Sequence, residues 1–248
     1  MELQNRRDFL RFTGLTAAGT AVGPLLLDAR AKPTVESGSP AIADQVQAQF
    51  GDPPILLTMK DDRQVTRRNA LGPFYTKGAP FRGKVSPPRA HGTVLLVTGR
   101  VWAFDTKKPL PGAIIDLWHC DIHGNYANDD GDYTFRARII TSETGAYEYE
   151  TIHPVVYDDH GEFRSPHIHY RVTSPGYRTL VTQLFFEGDP AHADDRLFDA
   201  SLMVPIVRRG EKGREHEAAV FDVVLAKSDG TPEPEERPRR RRPRRRTD

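Results

Sequence analysis

Two histidines stand two positions apart in the stretch Ser165-Pro166-His167-Ile168-His169-Tyr170. Apolar and aromatic neighbours give it the composition of a β-strand. Alternate side chains of a strand share a face, so both imidazoles point one way and Ile168 the other. Such a pair can clamp a metal, or it can be two histidines that merely share a face; the motif alone does not choose. Further residues with chemical potential lie in three clusters: DLWHCDIHGNYAND, with Tyr126; TIHPVVYDDHGEFRSPHIHY, with Tyr157 and Arg164 ahead of His167 and His169; and TQLFFEGDP, with Gln183.

Tyrosine is an unusual metal ligand. Its phenol ionises near pH 10, so phenolate at neutral pH needs a strong Lewis acid beside it. A hard anionic oxygen suits a hard, highly charged ion. Zinc favours His, Cys and carboxylates, and calcium favours oxygen donors. If both tyrosines join both histidines, non-haem Fe(III) is the natural occupant. A zinc or copper enzyme using His167 and His169 alone is the competing metal reading. Cys120 is the only cysteine, which rules out an internal disulfide and the cysteine-rich zinc sites; it reads as a small buried filler.

The elements that must hold these groups read as strands. Val94–Phe104 and Ile114–Cys120 have strand composition, with a turn rich in Pro and Gly between them. Arg136–Ile152 reads as a hairpin turning at Thr144-Gly145, and His167–Asp189 as another turning at Pro175-Gly176. Ala218–Lys227 closes the set. Short strands at close spacing without helical periodicity predict an all-β, antiparallel β-sandwich with long loops. No phosphate-cradling glycine loop, Gly-x-Ser-x-Gly or His-Glu-x-x-His occurs. The remaining histidines, His91, His119, His123, His153, His160, His192 and His216, read as surface or supporting residues, and Trp118 as core.

Outside this body, taken as residues 67–228, the chain changes character. Residues 1–31 carry Arg6-Arg7, an apolar run and Ala29-Arg30-Ala31, the pattern of a twin-arginine signal peptide. This implies the Tat export machinery as a partner and a periplasmic, cell-surface or extracellular destination. Residues 32–66 read as a linker with a short helix around residues 43–50. Residues 229–248 form an Arg-rich tail: from Arg237 on, eight arginines stand against one aspartate. The stretch Lys32–Glu236 is acidic although the whole chain is +1, so a nucleic-acid-binding body is not expected. The tail reads as a disordered, solvated segment, with an anionic surface such as phospholipid as its alternative partner.

Taken together, LWHCDIHGNY, RSPHIHY and TQLFFEGD, in this order and spacing, resemble the intradiol ring-cleavage dioxygenases, the catechol and protocatechuate dioxygenases, from about Gly72 to Val224. The twin-arginine leader and Arg-rich tail point to an exported branch. The resemblance implies Fe(III) held by Tyr126, Tyr157, His167 and His169. It implies Arg164 stabilising charge on the substrate ring, and Gln183 orienting substrate or oxygen. Tyr157 matches the tyrosine that leaves the iron and accepts substrate protons, while Tyr126 stays bound. The implied reaction takes a catechol-type diol and O2 and opens the ring between the hydroxyl-bearing carbons, giving a cis,cis-muconate-type diacid. GPFYTKGAP would bring Phe74 or Tyr75 to the pocket mouth, or simply pack the entry segment. The alternative of another class is a non-catalytic, transthyretin-like β-sandwich that binds a partner without chemistry.

Overall fold

The computed structural model describes residues 62–231 except 128, 130, 160 and 214. The leader, most of the linker with its expected helix, and nearly all of the Arg-rich tail lie outside the described residues. Twelve strands follow in order: β1 (Val94–Ala103), β2 (Ile114–Trp118), β3 (Arg136–Ile140), β4 (Ala146–Ile152), β5 (Tyr157–Asp158) and β6 (Phe163–Arg164) come first. Then come β7 (His167–Thr173), β8 (Leu180–Phe186), β9 (Met203–Val204), β10 (Val207–Arg209), β11 (His216–Val220) and β12 (Val223–Leu225). Two short 3-10 turns, Pro190–Asp194 and Ala200–Leu202, separate β8 from β9. Among the described residues there is no α-helix.

The expected sandwich forms from two five-stranded sheets. One runs β10-β11-β1-β12 with β4 on the other side of β1; the second runs β3-β2-β7-β8-β9. Most pairs are antiparallel, but β11 and β12 lie parallel to β1, and β9 parallel to β8. In β1 the inward set Leu95, Val97, Gly99, Val101 and Ala103 is buried, and the residues between them are half-buried. Opposite them, Ile115 and Leu117 of β2, Ile168, Tyr170 and Val172 of β7, and Leu184 and Phe186 of β8 complete the core between the sheets. Burying such a side chain contributes about 1.5–3 kcal/mol against leaving it exposed. That gain fixes the register of β7, because a slip by one residue would turn its apolar set outward.

The expected hairpin over Arg136–Ile152 is not one. The chain does turn at Ser142–Gly145, but β3 pairs with β2 and β4 with β1, so the two strands belong to different sheets. The cause lies at the turn: the Val101 backbone N–H donates to the Gly145 carbonyl at 2.9 Å, which extends the β1–β4 ladder and draws the outgoing strand across. The hairpin of β7 and β8 is as expected, with the turn at Pro175-Gly176. The closing strand is broken at Phe221-Asp222, where the Asp222 carboxylate accepts the Arg100 N–H at 2.8 Å and the Trp102 Nε1–H at 2.9 Å.

Candidate metal centre

Because Ile168 and Tyr170 face the core, His167 and His169 face the outside of the same sheet. They are nevertheless buried, because loops cover that face. The register sets Trp118 of β2, His169 of β7 and Gln183 of β8 in a row across the sheet. Trp118 and His169 lie face to face, 4.8 Å between centroids and 1° between planes. Over them sits a second apolar cluster of Phe74, Trp118, Cys120, Tyr126 and Tyr157.

Each tyrosine arrives on its own loop. Tyr126 follows the turn Asp121–Asn125, which the Asp121 carboxylate ties by accepting the N–H groups of His123 and Asn125. Tyr157 opens β5, whose partner β6 places Arg164 directly opposite it. Gly124 lets the two loops approach: its φ is +77°, and a Cβ there would meet the Tyr157 Cβ at 2.6 Å. The two loops touch only because that Cβ is missing. Gly72 does the same service on the other side, where a Cβ would stand 3.1 Å from His169 Cε1.

The two imidazoles meet through Nε2, 3.1 Å apart, and the Tyr126 hydroxyl lies 3.5 Å from His167 Nε2. The Tyr126 and Tyr157 rings are 5.5 Å apart, and the Tyr157 and His167 rings 5.7 Å. His167 Nδ1 contacts the Ser165 carbonyl at 2.7 Å, so it donates there and Nε2 keeps its lone pair. His169 Nδ1 is buried with no hydrogen-bond partner. Two nitrogen ligands at right angles on one ion, each about 2.0–2.1 Å from it, stand roughly 3 Å apart. The observed spacing fits that. Among the described residues no group of three or more His, Cys, Asp or Glu could hold a metal; the oxygen donors beside the two imidazoles are the phenols of Tyr126 and Tyr157.

Electrostatics separates the groups. Burial lifts the Tyr126 phenol well above its ordinary range, and the neighbouring Tyr157 adds to this. Burial pushes Tyr157 up to about 12, against the pull of the Arg164 charge. Burial, helped by Arg164, takes His167 down to about 3, and burial followed by His167 holds His169 well below its usual value. The metal-free site therefore holds neutral phenols and neutral imidazoles, the latter in the state that ligates metal.

The structure thus brings together Tyr126, Tyr157, His167, His169, Arg164 and Gln183. Arg164 donates through Nη2 to Gln183 Oε1 at 2.6 Å, and Gln183 donates through Nε2 to the Ala70 carbonyl at 2.9 Å. Phe74 stacks on Tyr126 at 4.2 Å, and Tyr75 packs against Trp118 at 5.0 Å. Trp118, read as core, is buried as expected, and it lies in the second apolar cluster, which also walls the site. Cys120 is the expected buried filler, its thiol pushed up to about 11 by burial. His119 is deeply buried rather than superficial: Nδ1 meets the Cys120 carbonyl at 2.7 Å, and Nε2 meets Thr151 Oγ1 at 2.6 Å. His160 lies outside the described residues. The sequence reading missed Asp195, whose carboxylate accepts the Arg164 Nε–H at 3.0 Å. It sits in a run of acidic residues that gave no signal.

Comparison with known proteins adds independent findings. The family model Dioxygenase_C, described as dioxygenase, matches residues 71–227. The chain is 34% identical over 181 residues to chlorocatechol 1,2-dioxygenase of Rhodococcus opacus, spanning 62% of this chain and 70% of that protein. Catechol 1,2-dioxygenases from Acinetobacter and Pseudomonas match over only 49–63% of their own length, so the chain spans roughly half of several relatives. The dioxygenase domain of a dioxygenase–carbohydrate-binding fusion from Streptomyces sp. SirexAA-E superposes with a TM-score of 0.59. That match has 30% identity and covers 66% of this chain and all of that domain. Catechol 1,2-dioxygenase of Acinetobacter radioresistens gives 0.64 at 26% identity, over 81% of this chain and 72% of that one.

Proposed function

The chain belongs to the intradiol ring-cleavage dioxygenases, and from that membership we propose that it opens the ring of a catechol-type diol between its hydroxyl-bearing carbons. The reading takes O2 as the second substrate, a cis,cis-muconate-type diacid as the product, and non-haem Fe(III) as the cofactor. The observation that carries it is the pair of imidazole Nε2 atoms 3.1 Å apart with a phenol oxygen 3.5 Å from one of them. Tyr126, Tyr157, His167 and His169 would hold the ion. When bound, it supplies Lewis acidity toward the diol oxygens and O2.

The chain's own groups do the rest. The Ser165 carbonyl keeps the proton of His167 on Nδ1, which leaves Nε2 as a donor atom. Tyr157, whose phenol burial pushes up to about 12 in the metal-free site, would in its anionic form accept a proton from the incoming diol. Arg164 stands across β5–β6 from it and presents a fixed positive charge to the electron-rich ring. Gln183 braces that guanidinium. Phe74, Tyr75 and Trp118 wall the site with aromatic surface, which excludes water and matches a flat ring.

The test is a visible spectrum of the iron-loaded protein before and after anaerobic addition of catechol, followed by admission of O2. A phenolate-to-iron band that shifts with catechol, then diacid formed in step with O2 uptake, is expected. A protein that stays colourless after ferric and ferrous loading overturns the reading and leaves a binding module.

A further inference from the structure

Asp195 follows directly on the first 3-10 turn, in a segment that supplies none of the expected site residues, yet its side chain is 0% exposed. Four donors converge on it. Oδ1 accepts the Arg164 Nε–H at 3.0 Å and the Leu197 backbone N–H at 2.9 Å. Oδ2 accepts both the backbone N–H and the hydroxyl of Ser165, each at 2.9 Å. A buried carboxylate is tolerated only when paired and fully hydrogen-bonded, and this one is both.

What matters is where the partners lead. Arg164 and Ser165 are consecutive, and each reaches the site by a different path. The guanidinium is pinned at Nε by Asp195 and at Nη2 by Gln183, two points that fix the direction of a planar group. The Ser165 carbonyl accepts the Nδ1–H of His167 at 2.7 Å and so sets the tautomer and ring angle of that imidazole. Replacing a buried ion pair by apolar side chains often costs a fold nothing, so stability alone does not account for a carboxylate with this pattern of contacts.

We propose that Asp195 is a positioning residue for ring cleavage, aiming Arg164 at the substrate and, through Ser165, the ring of His167 at the metal. The proposal rests on the dioxygenase reading above. The experiment compares iron-loaded, full-length wild type with Asp195→Asn, alone and in an Arg164→Met background, in steady state with catechol. Asp195→Asn is expected to lower kcat about 10–100-fold with a smaller change in KM, and to displace the phenolate-to-iron band. In the Arg164→Met background the same change should cost clearly less in kcat than it does alone, since one of its two routes is already gone, and should still displace the band through Ser165 and His167. A variant with wild-type kcat and spectrum, or losses that multiply in the double variant, overturns the proposal. If Asp195→Asn does not fold, Ser165→Ala removes one donor and keeps the ion pair: a displaced band with about a threefold or larger loss of kcat supports the proposal, and no change overturns it. A wild type with neither band nor turnover overturns the parent reading and this one together, whereas a coloured, active wild type beside an unaffected variant overturns this one alone.

Discussion

Between the sheets, Tyr147, Tyr149 and Tyr170 form a cluster of phenols: Tyr149 and Tyr170 share a hydrogen bond through their hydroxyls, and Tyr147 donates to the Phe221 carbonyl. On the outer face, Tyr126 and Tyr157 are buried too, at 6% and 8% exposed against 2% or less for these three. Burial raises the phenol in every one of the five. A raised pKa therefore does not distinguish a site tyrosine from a core tyrosine. The neighbours do. The core hydroxyls bond to one another and to the backbone, while the outer pair, besides its own mutual contact, meets imidazole nitrogen: Tyr126 Oη lies 3.5 Å from His167 Nε2. The histidines repeat the contrast. His119 has both ring nitrogens bonded to fixed groups of the fold, as a structural histidine should, whereas His167 and His169 each turn Nε2 toward the other.

The sharpest way to break this comparison is to change adjacent residues on opposite faces of β7. His169→Ala should lose iron and colour and bring turnover to background, whereas Tyr170→Phe should keep both. Elemental analysis and O2 uptake read the outcome, and normal turnover in His169→Ala would end the distinction between the two faces. A second test uses pH. Burial, as the main cause, holds the His119 pKa down to about 4 from an ordinary 6.5. As pH falls below about 6.5 the unfolded chain gains a proton that the native chain refuses until about 4. Stability is then lost across that window, by about 3 kcal/mol for this residue. His119→Gln should flatten that part of the profile in urea unfolding, and an unchanged slope would show that His119 is not held neutral. Next in size is Gly124→Ala, where the positive φ and the Tyr157 contact predict a loss of about 1–3 kcal/mol, with weaker iron retention. Smallest is Tyr170→Phe itself, which removes the hydroxyl shared with Tyr149 for about 1 kcal/mol in thermal unfolding.

Much of this was legible in the chain because it is local. Strand composition assigned β1 and β7, and the His-x-His spacing put both imidazoles on one face. The role of Arg164 came from the resemblance to the dioxygenases, carried by short motifs. What escaped was long-range. Asp195 lies 30 residues beyond Ser165, and no spacing marks it among the acids of its segment. The passage of the chain between sheets at Gly145 depends on a hydrogen bond to Val101, which composition does not reveal. Trp118 looked like core because it is large and apolar, and only the cross-strand register with His169 shows which face it serves.

The strand β7 belongs to both clusters at once, with Ile168 and Tyr170 inside and His167 and His169 outside. This has a bearing on timing. A chain whose β7 has paired out of step presents isoleucine and tyrosine to the loops and no pair of imidazoles, so it has no grip on an ion. On the ferric reading proposed above, only the correctly closed sandwich would load, and loading would favour that form over its misaligned competitors by mass action. Metal uptake would then be the last act of assembly and a form of proofreading: a coloured molecule would be one whose strands have already been counted correctly.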